Sequence, residues 1–231
     1  MKKIILSMLI LLMCSLTILA QKEITKFMGI PIDGQKKDMI QKLKAKGFEY
    51  DKENDLLMGE FNGEKVHIFV ATKSNKVWRI VVADAIERNE HDIKIRFNNL
   101  YDQFNNSPKY VPKLEDNGYI SEDINLAYEM NIKNKRFEAG FMQMTNPKNS
   151  QNSPEKIRQE LTQKIEEICP PEEFKMKSIK EQEEITKEAA MSVVQDAAMR
   201  SVWFMVSENY GKFSLIIFYD NEYNNAHGED L

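Results

Sequence analysis

The order of apolar and polar residues along the chain predicts about four helices and about seven strands. The clearest helix covers 90–105, where Ile93, Phe97, Leu100 and Phe104 fall on one stripe at helical spacing. The other predicted helices cover 35–46, 154–168 and 178–199.

Segments of alternating apolar and polar residues, separated by turn residues, predict the strands. Asn62-Gly63 is the strongest short hairpin signal in the chain. The predicted strands cover 56–61, 65–71, 76–83, 126–132, 136–144, 202–207 and 213–219, and 109–124 is predicted as a loop with a short edge strand. Because helices and strands come in blocks, the predicted fold class is α+β with a mainly antiparallel sheet of a meander plus hairpins.

The N-terminus predicts an export signal. Two lysines follow the first methionine, and an apolar run then covers 4–19 and ends at the small residue Ala20. This pattern is typical of a secretory signal peptide over 1–20, with Gln21 as the first residue of the exported chain. We therefore expect a periplasmic or extracellular protein.

Two alternatives for the N-terminus remain open. An uncleaved membrane anchor is disfavoured because the apolar run is short for a membrane span. A lipoprotein acylated at Cys14 is disfavoured because Met13 is larger than the small residue that such processing requires.

The exported chain is predicted to form one compact unit from two segments. Residues 21–145 hold a helix plus the meander, and 154–231 hold a helical pair plus a C-terminal hairpin. Residues 146–153 are polar and contain Asn, Pro, Gln and Ser, which predicts a linker. A helix followed by hairpin strands occurs near 35–84 and again near 178–219, which indicates either two related subdomains or one sheet built from both halves.

The net charge of the chain disfavours nucleic acid as a partner. The chain has 32 basic and 36 acidic residues, and its net charge of −4 becomes −6 once the two lysines of the signal are removed. This acidic net charge argues against binding of nucleic acid, because phosphates are neutralised by clustered Lys and Arg. No other apolar run approaches the length of a membrane span.

The search for catalytic motifs predicts no catalytic, cofactor-binding or metal-binding residue. Phosphate-binding glycine loops, G-x-S-x-G and H-E-x-x-H are missing from the sequence. Cys169 is the one cysteine left after export, and we interpret it as a small buried side chain at a helix end. An intermolecular disulfide or a catalytic thiol is the alternative.

Two groups of residues are candidates for binding. Trp78 and Trp203 lie in predicted strands, where they serve either core packing or a flat aromatic binding face. The C-terminal polar run either satisfies turns and caps or holds a ligand. Its candidate residues are Asp220, Asn221, Tyr223 and Asn225.

Both ends of the chain resemble a known group. The ending Tyr219-Asp220-Asn221, followed by Gly228-Glu229-Asp230-Leu231, resembles the closing motif of uncharacterised secreted proteins of Bacteroides-type bacteria. The segments 27–34 and 43–48 resemble their opening. The resemblance implies export and a shared fold, and it carries over no catalytic residue. The helix-then-meander unit is more weakly similar in topology to β-lactamase-inhibitor-like periplasmic proteins and outer-membrane assembly lipoproteins.

The sequence thus favours a non-enzymatic exported protein, without a cofactor, that binds another protein or an envelope component. Binding would use a sheet face or the C-terminal loop. The alternative is an extracytoplasmic hydrolase of an unrecognised type.

Overall fold

The computed structural model describes residues 23–113, 118–144 and 154–225. The predicted signal peptide, the predicted linker and residues 226–231 of the C-terminal motif lie outside the described residues. The helices are α1 (Lys36–Lys44), α2 (Glu90–Asn105), α3 (Leu126–Asn131), α4 (Pro154–Ile168), α5 (Pro171–Met176) and α6 (Ile179–Ala198). The strands are β1 (Lys26–Phe27), β2 (Ile30–Pro31), β3 (Glu49–Asp51), β4 (Leu56–Phe61), β5 (Glu64–Lys73), β6 (Lys76–Asp84), β7 (Tyr110–Pro112), β8 (Glu138–Gln143), β9 (Arg200–Asn209) and β10 (Lys212–Asn221).

Eight of these strands form one antiparallel sheet in the order β3-β4-β5-β6-β10-β9-β8-β7. The remaining two, β1 and β2, pair only with each other. The predicted α+β class with a mainly antiparallel sheet is confirmed. The elements that were not predicted are short, since β1, β2, β3 and α5 have two to six residues each.

The sheet has an approximate internal symmetry. Helix α1 precedes the four strands β3 to β6, and α2 precedes the four strands β7 to β10. The two groups join through β6 and β10, so the strand order of one group mirrors the other. The second unit therefore starts at α2 rather than near residue 178, and α6 belongs to an insertion between β8 and β9.

Three hairpin turns fix the strand register. The central residues are Asn62-Gly63, Ser74-Asn75 and Tyr210-Gly211, and all six have positive φ angles between 48° and 77°. Two consecutive residues with positive φ define a type I′ turn, whose twist matches that of the flanking strands. The Asn62-Gly63 hairpin predicted from the sequence is confirmed.

Helices α1 and α2 pack on the same face of the sheet, which we call the core face. From α2, the rings of Phe97 and Phe104 contact Phe204 of β9 at centroid distances of 5.0 and 5.7 Å. From α1, Met39 and Leu43 are fully buried. The two predicted helices thus supply the second layer of the fold, as their apolar stripes require.

A buried network of charges anchors the start of α2 to the sheet. Asp84 of β6 accepts hydrogen bonds from Arg88 at 2.8 Å and from Arg96 at 3.2 Å. Arg88 also donates to Glu64 of β5 at 2.5 Å. Two guanidinium groups and two carboxylates balance each other, which satisfies the requirement that buried charges be paired.

The strand predicted over 126–132 is wrong, because this segment forms α3. The side chain of Asn125 accepts a hydrogen bond from the backbone N–H of Tyr128 at 2.9 Å, which is a helix N-cap. Glu90 of α2 accepts from the N–H of Leu126 at 3.1 Å. These two bonds satisfy backbone donors at the start of α3 and favour the helix over a strand.

The insertion between β8 and β9 contains α4, α5 and α6, and we call it the arm (154–198). Helices α4 and α6 pack against each other. Cys169, directly after α4, is 3% exposed, so the interpretation of a buried side chain at a helix end is confirmed. Along the twenty residues of α6 only Ala189 is buried, and the helix reaches β8 and β9 at its C-terminal end.

Candidate binding face

The side of the sheet opposite α1 and α2 carries large apolar side chains, and we call it the open face. Strand alternation places these residues away from the core. Each of them is half-buried or exposed. The open face is formed by Met58, His67, Phe69, Val81, Ala83, Met142, Trp203, Met205, Ile216 and Phe218. In the part of the chain that the structure describes, α1 and α2 lie on the other side of the sheet.

Sheet register aligns these side chains in continuous rows. One row crosses four strands, because Phe69 pairs with Val81, Val81 with Phe218, and Phe218 with Trp203. Directly opposed side chains are close enough to pack. The rings of Trp203 and Phe218 are stacked with centroids 3.9 Å apart and planes 13° apart. The row is therefore a packed apolar surface rather than a set of isolated side chains.

An arginine–aspartate pair lies beside this row, two residues further along β6 and β10 on the same face. Arg79 donates through Nε and Nη2 to the two carboxylate oxygens of Asp220, both at 2.6 Å. Trp203 donates from its indole nitrogen to the same carboxylate at 2.9 Å. The guanidinium carbon lies 4.2 Å from the Trp78 ring centroid and 4.9 Å from that of Phe218. We call these five residues the Arg79 cluster.

A bulge in β6 creates the cluster. The register between β5 and β6 shifts so that Ala71 pairs with Arg79 and Thr72 with Val77, which leaves Trp78 as the extra residue. Val77 is consequently fully buried, whereas Arg79 reaches the open face. Without this bulge, Trp78 and Arg79 would not lie side by side next to the stacked rings of Trp203 and Phe218.

Two cations border the open face at its β8 edge. Lys113 donates to the hydroxyl of Ser201 at 2.9 Å. Its side chain passes close to Gly140, where an added Cβ would lie only 3.1 Å from Lys113 Cδ. Arg136 lies 6.0 Å from the Trp203 ring centroid and pairs with Glu138 at 2.7 Å. This edge therefore combines apolar surface with accessible positive charge.

Three of the six predicted binding residues meet in this cluster. Trp78, Trp203 and Asp220 come from three different strands and lie within one set of contacts. Sequence analysis missed Arg79 and Phe218. The alternation of β6 and β10 was the available signal for both, since it places them on the face opposite the core.

The other three predicted residues lie apart from the cluster. Asn221 donates to the backbone oxygen of Ile32 at 2.7 Å and is buried. Asn225 donates to the Glu222 carboxylate at 2.9 Å. The Tyr223 hydroxyl donates to Asp196 of α6 at 3.1 Å, and burial followed by the Asp196 carboxylate raises the pKa of Tyr223. These contacts hold the end of β10 against the N-terminal segment and the arm.

A small cavity lies on the core side of the sheet. A cavity of about 170 Å³ between α2, the loop 118–124 and β8 has apolar walls from Phe97, Ile120 and Phe137. Sites for drug-sized molecules usually enclose about 300 Å³ or more. The grooves along α6 lie open on the helix surface.

Among the residues that the structure describes, no group of three or more His, Cys, Asp or Glu side chains is arranged to hold a metal ion. None of the helices described combines the length and the apolar character needed to cross a membrane.

Comparison with models of protein families, with curated proteins and with solved structures finds no match to this chain. The open face and the Arg79 cluster must therefore be interpreted from their own chemistry.

Proposed function

We propose that this chain is an exported binding protein whose open face binds the surface of another protein. The observation that carries the proposal is the open face itself, where a packed row from Phe69 to Trp203 lies beside Arg79 and is flanked by methionine and aliphatic side chains. In an antiparallel sheet with one solvated face, apolar and polar residues normally alternate so that the solvated face is polar. The open face departs from this pattern because it is largely apolar. Aromatic residues, Met and Arg are the types enriched in protein–protein interfaces.

The Arg79 cluster gives this face a rigid centre. Both carboxylate oxygens of Asp220 are engaged, and the Trp203 ring is held by its indole hydrogen bond and by Phe218. Side chains that are already ordered lose little conformational entropy on binding. Trp and Arg are also the residues that most often dominate interface energetics.

Flatness favours a macromolecular partner over a small ligand. The open face spans the six strands β4, β5, β6, β10, β9 and β8, whereas the cavity of about 170 Å³ lies between α2 and β8 on the core side of the sheet. Protein interfaces use about 800 Å² of fairly flat surface on each partner. A sheet face of this width suits that mode.

Export is part of the proposal and rests on the signal peptide predicted over 1–20. The intact mass of the protein isolated from the exported fraction should correspond to a chain that begins at Gln21. A mass that retains the first twenty residues, or one with acyl groups at Cys14, would contradict this.

Capture of a partner from the envelope fraction tests the binding role. Phe69→Asp places a charge on the open face, where Phe69 is 39% exposed, and Tyr210→Asp is the matched control at a turn residue that is 99% exposed. An unpaired carboxylate buried in an interface costs at least about 1.4 kcal/mol, so Phe69→Asp should weaken capture about tenfold or more. Equal capture by the native chain and both variants would refute the proposal.

A hydrolase is the second candidate, and the Lys113–Ser201 pair is the observation that favours it. A hydroxyl beside a lysine is a known arrangement for a nucleophile and its base. Ser201, however, is only 4% exposed, because Lys113 lies over it. A screen of ester, peptide and glycoside substrates with Ser201→Ala as control decides the question, since only a true hydrolase would show activity that this variant abolishes.

A further inference from the structure

The cavity on the core side of the sheet has the walls of a binding site for a small apolar group. Its volume is about 170 Å³, and it is lined by Phe97 of α2, by Ile120 and Ile124 of the loop 118–124, and by Phe137 directly before β8. Phe97, Ile120 and Phe137 are 2%, 4% and 7% exposed. An apolar protein cavity of about 150 Å³ binds benzene. This cavity therefore has room for one six-membered ring.

The backbone of the loop beside the cavity is already hydrogen-bonded to α2. Asn98 donates to the backbone oxygen of Ile120 at 2.9 Å and accepts from the N–H of Ile120 at 2.8 Å. Lys94 donates to the backbone oxygen of Glu122 at 2.9 Å. A buried water needs two to four polar partners, and these groups are engaged with each other. An apolar group is therefore a better occupant of the cavity than water.

The mouth of the cavity carries an ammonium group that has no carboxylate partner among the described residues. The Lys135 ammonium lies 4.9 Å from the centroid of the Phe137 ring, which is part of the cavity wall. The other two charged side chains of the described lining, Arg136 and Glu138, pair with each other at 2.7 Å. Lys135 is therefore the lining cation that is placed to meet an anionic group of a ligand.

The carboxylates around the mouth compete little for this ammonium. Glu129 pairs with Lys133 at 2.7 Å, and Glu122 lies 3.4 Å from His91. Asp123, the remaining acid of the loop 118–124, does not line the cavity. An apolar ligand that carries a carboxylate would thus find both of its parts matched at this site.

From these features we infer that the cavity binds a small organic monocarboxylate, with a benzene-sized apolar part inside and the carboxylate on Lys135 at the mouth. Burial of the apolar part supplies the driving force for binding, and the ammonium supplies selectivity for an anion. The cavity and the open face lie on opposite sides of the sheet. The inference therefore goes beyond the proposed function and does not depend on it.

Isoleucine-methyl NMR of the exported chain tests the site with three probes. Phenylacetate, 2-phenylethanol and 2-phenylethylamine share one ring and differ in charge. Phenylacetate should shift the methyl signals of Ile120 and Ile124 with a Kd of about 1 mM, as expected for a ligand of this size, and should leave Ile216 of the open face unshifted. The alcohol should bind about fivefold more weakly because it lacks the charge, and the amine more weakly still.

Three variants assign the two parts of the site. Lys135→Met removes the charge and keeps an apolar stem, so it should weaken phenylacetate about fivefold and leave 2-phenylethanol unchanged. Lys133→Met is the matched control, because Lys133 pairs with Glu129 and does not line the cavity; it should change neither Kd. Ile124→Phe enlarges a lining side chain and should abolish the binding of all three probes.

The opposite results would overturn the inference. Equal affinity for the three probes, or equal weakening by Lys135→Met and Lys133→Met, would contradict a carboxylate site. Shifts at Ile216 without shifts of the cavity methyls, or no shifts at all, would contradict binding in the cavity. The comparison of the two lysine variants holds even where Ile124→Phe fails to fold. Partner capture by the open face is a separate readout, so failure of this inference would leave the proposed function standing.

Discussion

Arg79→Met removes the cation that neutralises a buried carboxylate. The Asp220 side chain is 1% exposed and would keep only the Trp203 indole as a donor from the present cluster. Breaking a buried ion pair from one side costs about 3–5 kcal/mol. Since the indole N–H remains, we expect a loss of about 3 kcal/mol in the free energy of unfolding. For a chain of this size the loss corresponds to a fall in Tm of about 6–12 °C.

The reverse substitution and the double variant isolate the pair energy. Asp220→Asn leaves a guanidinium that is 23% exposed and stacked near Trp78 at 4.2 Å, so we expect a smaller loss of about 2 kcal/mol. In the double variant no charge is left unpaired. Its cost should therefore be less than that of Arg79→Met alone.

Urea unfolding followed by tryptophan fluorescence is the natural assay. The chain has 2 tryptophans, and both belong to the Arg79 cluster. Arg79→Lys serves as the control variant, since it keeps the charge but loses the two-pronged hydrogen bond. Additive losses in the double variant, or a loss below about 0.5 kcal/mol for Arg79→Met, would refute the interpretation of the cluster as a coupled, buried ion pair.

Two further predictions concern the core. Gly59→Ala should lower the free energy of unfolding by about 1–3 kcal/mol, because the new Cβ would lie 2.5 Å from a ring carbon of Phe48; denaturant unfolding that shows no change would contradict this packing. Burial raises the pKa of Tyr219 well above its ordinary value, so the contribution of its neutral hydroxyl to stability is present below about pH 10 and is lost as the pH rises further. Ultraviolet titration should show tyrosine ionisation that is delayed until alkaline unfolding, and Tyr219→Phe should remove one tyrosine from that delayed step.

Local signals in the sequence account for much of the fold. The stripe over 90–105 predicts α2 with its observed bounds, and Asn62-Gly63 predicts its hairpin. Ser178 and Glu181 form a capping box at the start of α6: the Ser178 hydroxyl accepts from the backbone N–H of Glu181, and the Glu181 carboxylate accepts from the backbone N–H of Ser178. In each case the deciding interaction joins residues close in sequence, so the sequence pattern contains it.

The segment 126–132 shows where local signals fail. A short alternation of apolar and polar residues fits a strand as well as a helix. The helix is favoured by the Asn125 cap and by Glu90, which is 36 residues away from Leu126. Burial opposes ionisation of Glu90, but this backbone bond and the ammonium of Lys94 keep its pKa below the ordinary value. A contact of that separation cannot be inferred from spacing.

Several residues of the candidate site could be predicted from the sequence, but not that they lie together. Trp78 and Trp203 stand out in the sequence as large side chains in predicted strands, and Asp220 as a charged residue of the C-terminal polar run. Their meeting depends on the pairing of β6 with β10, whose residues Arg79 and Asp220 are 141 positions apart. It also depends on the β-bulge at Trp78, and no turn residue in the sequence indicates that bulge.

The central claim is that the open face is the binding surface of this protein. Site-specific photo-crosslinking in cells tests it most directly, with the photoreactive residue at position 69 and, as control, at position 210. We predict a discrete protein adduct from position 69, either a second copy of the chain or another protein, and no such adduct from position 210. The same adducts from both positions, or none from position 69, would contradict the account.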